Sequence, residues 1–232
     1  MKLPKIIIFD VGGTLIEGEG LDNYQIGYKY LYEEVFDVKE SFEEFMHFVG
    51  LVRPMIKKRE KTQFEFSFQS FFNYLKVAYG LKTTKSYYEI EIEFIAKFYT
   101  SKPVLHVKEL LDFLTSKGVL LYVLSNSMYS TNQIIDELKR NNLDEYFLEI
   151  VSTGDHLLRK PSLELFKMYL KKCHIMGYKT SEVCYIGNMY HYDIASPVRL
   201  GMKAVHKGKE FKKHTGYVEI NDYLELIKMW SK

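Results

Sequence analysis

An α/β fold, with a doubly wound parallel-sheet core and an inserted all-α domain, is predicted by three features of the sequence. Apolar β-forming runs recur at wide spacing, helix-length segments separate them, and one long early stretch carries helical periodicity alone.

The first run, "KIIIF" at residues 5–9, is nearly continuous in apolar residues, as a strand covered on both faces must be. "VLLYVLS" (119–125), "LEIVS" (148–152), "VCYIG" (183–187) and "KAVH" (203–206) repeat the pattern. Between them, "VLHVKELLDFLTSKG" ends at Gly118 after Lys117, a usual helix stop. "STNQIIDELKRNN" opens with Ser130 and carries Gln133 three residues on, a capping-box pattern. "KPSLELFKMYL" places Pro161 at a helix start, where its missing N–H costs nothing. Residues 17–100 show no buried strand. In "FSFQSFFNYLKVAYG", Phe68, Phe71, Phe72, Leu75 and Tyr79 repeat at helical spacing. Ser67 suits the N-cap, Phe66 suits a staple onto Phe71, and Gly80 closes the helix. Compact domains do not carry structureless loops of that length. The expected division is a core of residues 1–16 and 101–232, with an all-α domain over 17–100.

Hydrophobic residues at 47% and charged residues at 27% describe an ordinary globular chain with ample material for a core. The aromatic share of 16% sits mostly in the first half and marks the helical domain. A net charge of +2 supplies no global field for nucleic acid or a membrane surface. The basic stretch "HKGKEFKKH" (206–214) reads as a solvated loop. Cys173 and Cys184 form neither a disulfide framework nor a metal-ligand spacing. No apolar run approaches the roughly 18 residues of a bilayer span. The N-terminus enters a strand without a signal-type region, so the expected location is cytoplasmic. The expected state is a monomer or homodimer.

Ligands of an open parallel sheet bind beyond the carboxyl ends of its strands. Four such positions carry polar groups here. Asp10 ends the first run, Ser125 and Asn126 the second, and Lys160 precedes Pro161. Asn188 and Asp193 lie in "GNMYHYD".

In this order and spacing the chain resembles the haloacid dehalogenase superfamily, in its branch with a helical cap after the first strand. "FDVGGTL" is similar to the nucleophile motif, "VLSNS" to the second, "RKPSLELF" to the lysine motif and "YIGNMYHYDIASPVRLGM" to the acidic metal motif. The resemblance implies a Rossmann-like core with an all-α cap domain, and a phosphatase or phosphotransferase acting on a small phosphorylated metabolite. Asp10 would attack phosphorus and form an aspartyl-phosphate. Ser125, Asn126 and the loop of Gly12, Gly13 and Thr14 would hold phosphoryl oxygens. Lys160 would neutralise charge on them and on Asp10. Mg²⁺ would be bound by Asp10, the Gly12 carbonyl, Asn188 and Asp193. Arg53, Lys57, Lys58 and Arg59 of the cap are candidates for an anionic substrate group.

Two positions depart from that pattern. Phosphatases of the superfamily carry a second Asp two residues after the nucleophile, as general acid and base, and Gly12 stands there. Such catalysis is worth about 10²–10⁴-fold. The first acid of the fourth motif is replaced by Asn188, so Mg²⁺ affinity should fall. Three readings follow. One is a phosphatase weak on alkyl phosphates but able to use acyl or aryl phosphates, or one that borrows an acid, for which His191 is a candidate. Another is a degenerate binding protein. The third is a dehalogenase-like or phosphonatase-like hydrolase, the latter needing a cap lysine such as Lys57 or Lys58.

Overall fold

The computed structural model describes residues 1–19, 23–59, 61–209 and 211–232; the side chains of Arg53 and Lys212 lie outside the description. In chain order, β1 (Ile6–Phe9) and β2 (Ile16–Glu19) precede the helices α1 (Tyr24–Tyr30), α2 (Phe42–Lys58), α3 (Phe68–Tyr79) and α4 (Tyr87–Ala96). Then come β3 (Thr100–Pro103), α5 (Val107–Ser116), β4 (Leu120–Ser125), α6 (Thr131–Arg140), β5 (Glu149–Ser152) and α7 (Leu163–Ile175). The last elements are β6 (Val183–Gly187), α8 (Ala195–Arg199), β7 (Lys203–Lys207), β8 (Lys212–Lys213), β9 (Tyr217–Ile220) and α9 (Tyr223–Trp230).

Every residue of β1 is buried. Ile7 and Phe9 join one apolar cluster and Ile6 and Ile8 another. Alternate side chains of a strand leave opposite faces, so both faces of the sheet are covered. Leu110 and Leu114 of α5, Leu138 of α6 and Leu226 of α9 cover the first face. Phe166 and Tyr169 of α7 cover the second. The strands run in the order β5-β4-β1-β6-β7-β9-β8. All pair in parallel except β8 with β9. The chain winds outward from β1 on one side through β4 and β5, then returns to β1's other side with β6. That reversal puts the ligand-binding crevice between β1 and β6.

The helical unit has its own core, in which the aromatic residues concentrate. Phe68, Phe71, Phe72 and Leu75 of α3 are buried, Ser67 accepts from the Ser70 N–H at its start, and Gly80 ends it with φ of 75°. Phe66 and Tyr79 pack against the same cluster. This matches the expected helix residue for residue. The unit joins the sheet through an exposed antiparallel ribbon, β2 with β3, in register from Ile16 opposite Pro103 to Glu19 opposite Thr100.

Three local expectations need correction. Pro161 does not start α7. The Ser162 N–H donates to Arg159 O at 3.0 Å, closing a turn around Pro161, and Ser162 is the N-cap. The basic stretch is not simply a loop, because it ends β7 and supplies β8. Val218 and Ile220 of β9 are buried and give that edge a partner, and Glu219 lies 3.7 Å from His206 Nδ1 and 3.5 Å from His214 Nε2. The capping box on α6 is only half local. Ser130 accepts from the Gln133 N–H, but the Gln133 amide turns to Glu137 at 3.3 Å. The carboxylate that reaches the Ser130 N–H, at 3.1 Å, is Glu91 of α4. Glu91 also accepts from the Ser130 and Tyr87 hydroxyls.

Glu91 is fully buried, and burial pushes its pKa above the ordinary glutamate value, with repulsion from Asp155 adding to it and the Ser130 and Tyr87 hydrogen bonds opposing. Glu91→Ala should cost about 1–3 kcal/mol, because Ser130 loses its partner. A carboxyl raised in the folded state holds its proton after the unfolded chain has released one, so its contribution falls as pH rises through that window. Denaturant unfolding should therefore show the largest loss near the ordinary carboxylate pKa and a smaller one at neutral pH.

Candidate active site

Asp10 follows β1 directly, and its N–H donates to Ile186 O at 2.9 Å, which continues the β1–β6 ladder to the sheet edge. Asp193 arrives from a π-helical turn after β6, Tyr190–Ile194. Its Oδ2 accepts from the Met189 N–H at 2.9 Å. A Cβ on Gly187 would fall 2.4 Å from Asp193, so the glycine at the end of β6 permits this approach.

Lys160 ties the two acids together. Its Nζ donates to Asp10 Oδ1, Asp193 Oδ1 and the Tyr185 hydroxyl, each at 2.7 Å. Tyr185 in turn donates to Leu124 O at 2.7 Å. An ammonium has three donors, so this head group is fully used, and it is 1% exposed. Burial alone lowers the Lys160 pKa, but attraction to Asp10 and Asp193 prevails and holds it above the ordinary lysine value. Burial raises Asp10; Lys160 opposes and repulsion from Asp193 adds, leaving it raised. The ionised cluster carries a formal charge of −1 among hard oxygen donors, a donor set that suits a cation. Among the described residues no third His, Cys, Asp or Glu joins a metal-holding group.

The remaining expected site residues take up more particular positions. Thr14 is fully buried and its hydroxyl meets Asp10 Oδ2 at 3.4 Å, so it steadies the acid instead of facing a substrate. Asn126 spends both amide groups on the Lys160 backbone: Nδ2 donates to Lys160 O at 3.0 Å and Oδ1 accepts from Lys160 N at 2.8 Å. It positions the lysine. Asn188 packs on Gly13, where a Cβ would lie 2.2 Å from Asn188 Nδ2. Ser125, 5% exposed, and Gly12 line a cavity of about 200 Å³ that continues to Gln133 and Glu137. A Cβ on Gly12 would meet nothing within 4 Å.

Above this cavity lies a cleft of about 840 Å³ between the helical unit and the loop after β4. Lys57 and Arg59 line it, although Arg59 is paired with Glu65 at 3.1 Å. Lys58 is exposed on α2, and the Arg53 side chain lies outside the described residues. His191 is exposed and lines a different hollow, with Pro161, Ser196 and Arg199, so it is not placed to replace an acid at Gly12.

Sequence reading missed three contributors. Tyr185 reads as core, and only the need of a buried phenol for a hydrogen-bond partner hints otherwise. The Glu65 side chain is buried and accepts from Thr153 Oγ1 at 2.8 Å, with Arg159 at 3.5 Å. Glu137 has its Oε1 unpartnered, and burial raises its pKa against hydrogen bonds from Ser101, Gln133 and Tyr99.

A doubly wound α/β sheet thus delivers an acid–lysine–acid cluster to its switch point, beside a helical unit. The chain belongs to the haloacid dehalogenase-like hydrolases, whose family profile matches residues 7–207. A glyceraldehyde 3-phosphate phosphatase of Methanocaldococcus jannaschii is 30% identical over 132 residues, 54% of this chain and 55% of that protein. The chain thus spans about half the length of the curated relative it matches. A haloacid dehalogenase-type phosphatase from Thermococcus onnurineus shares the fold with a TM-score of 0.62 and 19% identity, over 99% of this chain and 97% of that one. A magnesium-bound hydrolase of the same superfamily from Bacillus subtilis does so with a TM-score of 0.59 and 16% identity, over all of both chains.

The two adjacent glycines should respond differently to a methyl group. Gly13 has φ of +70° and Asn188 in the way, so Gly13→Ala should cost about 1–2 kcal/mol or more. Gly12→Ala should stay within about 0.5 kcal/mol. Paired denaturant titrations measure both.

Proposed function

We propose that the protein is a phosphatase that works through an aspartyl-phosphate on Asp10. The observation that carries this is the 2.7 Å contact of Lys160 with both Asp10 and Asp193 at the switch point. It gives an acid fixed in position by its neighbours, with a cation in contact that favours its ionised, attacking form against the opposing effects of burial and Asp193. An Asp10 carboxylate oxygen would attack phosphorus, the leaving oxygen would depart with its electron pair, and water would then release phosphate and restore the carboxylate.

Other residues support these steps without reacting. Ser125, which lines the Gly12 cavity, would hold a phosphoryl oxygen. Because all three Lys160 donors are engaged, the lysine would act by charge and by holding the two acids together; direct donation to a phosphoryl oxygen would require exchanging a partner. Asp10, Asp193, the Gly12 carbonyl and Asn188 are the residues that would hold Mg²⁺. When bound, the ion would neutralise charge on the transferring phosphoryl group. Residues 17–100 are proposed as the cap domain, with the β2–β3 ribbon at its root.

Asp10→Asn should abolish turnover of p-nitrophenyl phosphate, measured by release of the coloured phenolate. Activity at the parent level in that variant would falsify the mechanism. Gly12 has room for a side chain, so Gly12→Asp should raise kcat on alkyl phosphates, by up to about 10²-fold or more. No gain in a folded variant would mean that the proton reaches the leaving group by another route.

A further inference from the structure

We infer that the substrate is an aryl phosphate monoester, with its ring held in the cleft under the helical unit. This rests on the phosphatase reading above and goes further, since it names the leaving group.

The cleft wall is the first ground. Its accessible layer includes Tyr28, Met46, Met128 and Tyr129, backed by Phe68 and Phe71. The backing rings are buried and interlocked: Phe68 lies 4.8 Å from Phe94 and 5.4 Å from Tyr129, and Tyr28 lies 6.1 Å from Phe71, centroid to centroid. Packed this way, the wall is preformed, and thioethers beside rings favour contact with a flat aromatic guest. A volume of about 840 Å³ suits a ring-bearing ligand. Asn23, Gln25, Lys57 and Arg59 share the lining, so the rings and thioethers form one side of the cleft, and a triose phosphate would leave that side uncovered.

Continuity is the second ground. Asn126, Ser127 and Tyr129 line both this cleft and the smaller cavity that holds Gly12 and Ser125. Asp10 itself lines neither space, but Gly12, two residues on, lines the smaller one, so the ester group of a phosphate at Asp10 would leave past Gly12, Asn126 and Ser127 into the ring-lined space. Lys57 at the cleft adds positive potential for a dianionic phosphate on its way in.

The third ground is independent of packing. Gly12 has no side chain to protonate a departing oxygen. An alkoxide, with a conjugate-acid pKa near that of water at about 15.7, departs poorly without such help. A phenoxide, at about 10, departs without it. As Asp10 bonds to phosphorus, the P–O(aryl) bond breaks and its electron pair leaves on phenoxide, which takes a proton from bulk water. Water then attacks phosphorus, the P–O bond to Asp10 breaks, and phosphate and the carboxylate are regenerated. The cleft selects the same group that the missing acid demands.

The test is a steady-state panel with the full chain and Mg²⁺: phenyl phosphate, 1-naphthyl phosphate, acetyl phosphate, glycerol 1-phosphate and glyceraldehyde 3-phosphate. The aryl esters should exceed both alkyl esters in kcat/KM by about 10²-fold or more, and naphthyl should show a lower KM than phenyl. Met46→Asp, which puts a charge into the wall, should lower the ratio of phenyl to acetyl phosphate kcat/KM at least about tenfold. Equal rates on aryl and alkyl esters overturn the inference and point to an acid in the site, with Glu137 the buried candidate. Turnover of acetyl phosphate but not of aryl esters, or an unchanged ratio in Met46→Asp, also overturns it while leaving the phosphatase reading intact. No turnover of any of the five phosphates removes both.

Discussion

Everything at the sheet edge depends on one buried ammonium. Lys160 holds Asp10 and Asp193, two acids that come from opposite sides of the topological switch and would otherwise repel one another in a desolvated space. Burying such charges is costly unless every donor and acceptor is matched. Here the third donor goes to Tyr185, whose own proton is passed to the β4 backbone. The cluster is thus anchored on β1, β4 and β6 together. Loss of the lysine would leave paired acids without a counter-charge, a defect on the scale of about 3–5 kcal/mol. The same arrangement that fixes Asp10 also joins the two halves of the sheet.

The position of Lys160 is in turn set by groups from elsewhere. Asn126 clamps its backbone in both directions, which ties the loop before α7 to the end of β4. One residue earlier, the Arg159 N–H donates to Gln63 O at 3.0 Å, and Phe64 bridges to Leu158. Glu65 adds its contacts to Thr153 and Arg159. The helical unit therefore touches the loop that carries the lysine, and does so by backbone hydrogen bonds as well as by side chains. Glu91 on Ser130, the Phe68 N–H on Met128 O at 2.7 Å and the β2–β3 ribbon attach the unit to the core as well. Any movement of the unit over the cleft must be accommodated by these contacts.

Which parts of this were legible in the sequence follows from the range of the forces involved. β1 was legible because both its faces are buried, which leaves an unbroken apolar run. The α3 helix was legible because its cap, stripe and stop all lie within fifteen residues. Asp10, Ser125, Lys160 and Asp193 could be placed at one edge because parallel topology sends strand ends there. Illegible were the contacts that join irregular segments far apart in the chain. Glu91 completes the Ser130 cap from 39 residues away, and an acid in the middle of an amphipathic helix carries no mark of that task. The pairing of Phe64 with Leu158 has no periodicity to betray it. Asn126 and Thr14 were legible as site residues but not in their roles, since only coordinates reveal that one grips a backbone and the other is sealed from substrate.

The two departures from the family pattern make sense as a single electrostatic change. An Asp at position 12 and another at 188 would bring two further negative charges to a buried cluster that already carries a formal charge of −1, with a single ammonium to offset them. Without them, repulsion among the carboxylates is less, and the cluster depends less on a divalent cation for its integrity. Asn188 keeps the shape and hydrogen-bonding capacity of an acid while shedding its charge, and it fills the space that Gly13 leaves open. Gly12 sheds both charge and shape, and the space it leaves continues into the cavity. On the proposed mechanism, this would remove a proton donor on the leaving-group side while keeping Asp10 as the nucleophile beside its counter-ion Lys160. A site built this way can still break a bond to phosphorus, provided that the departing oxygen is already stable as an anion.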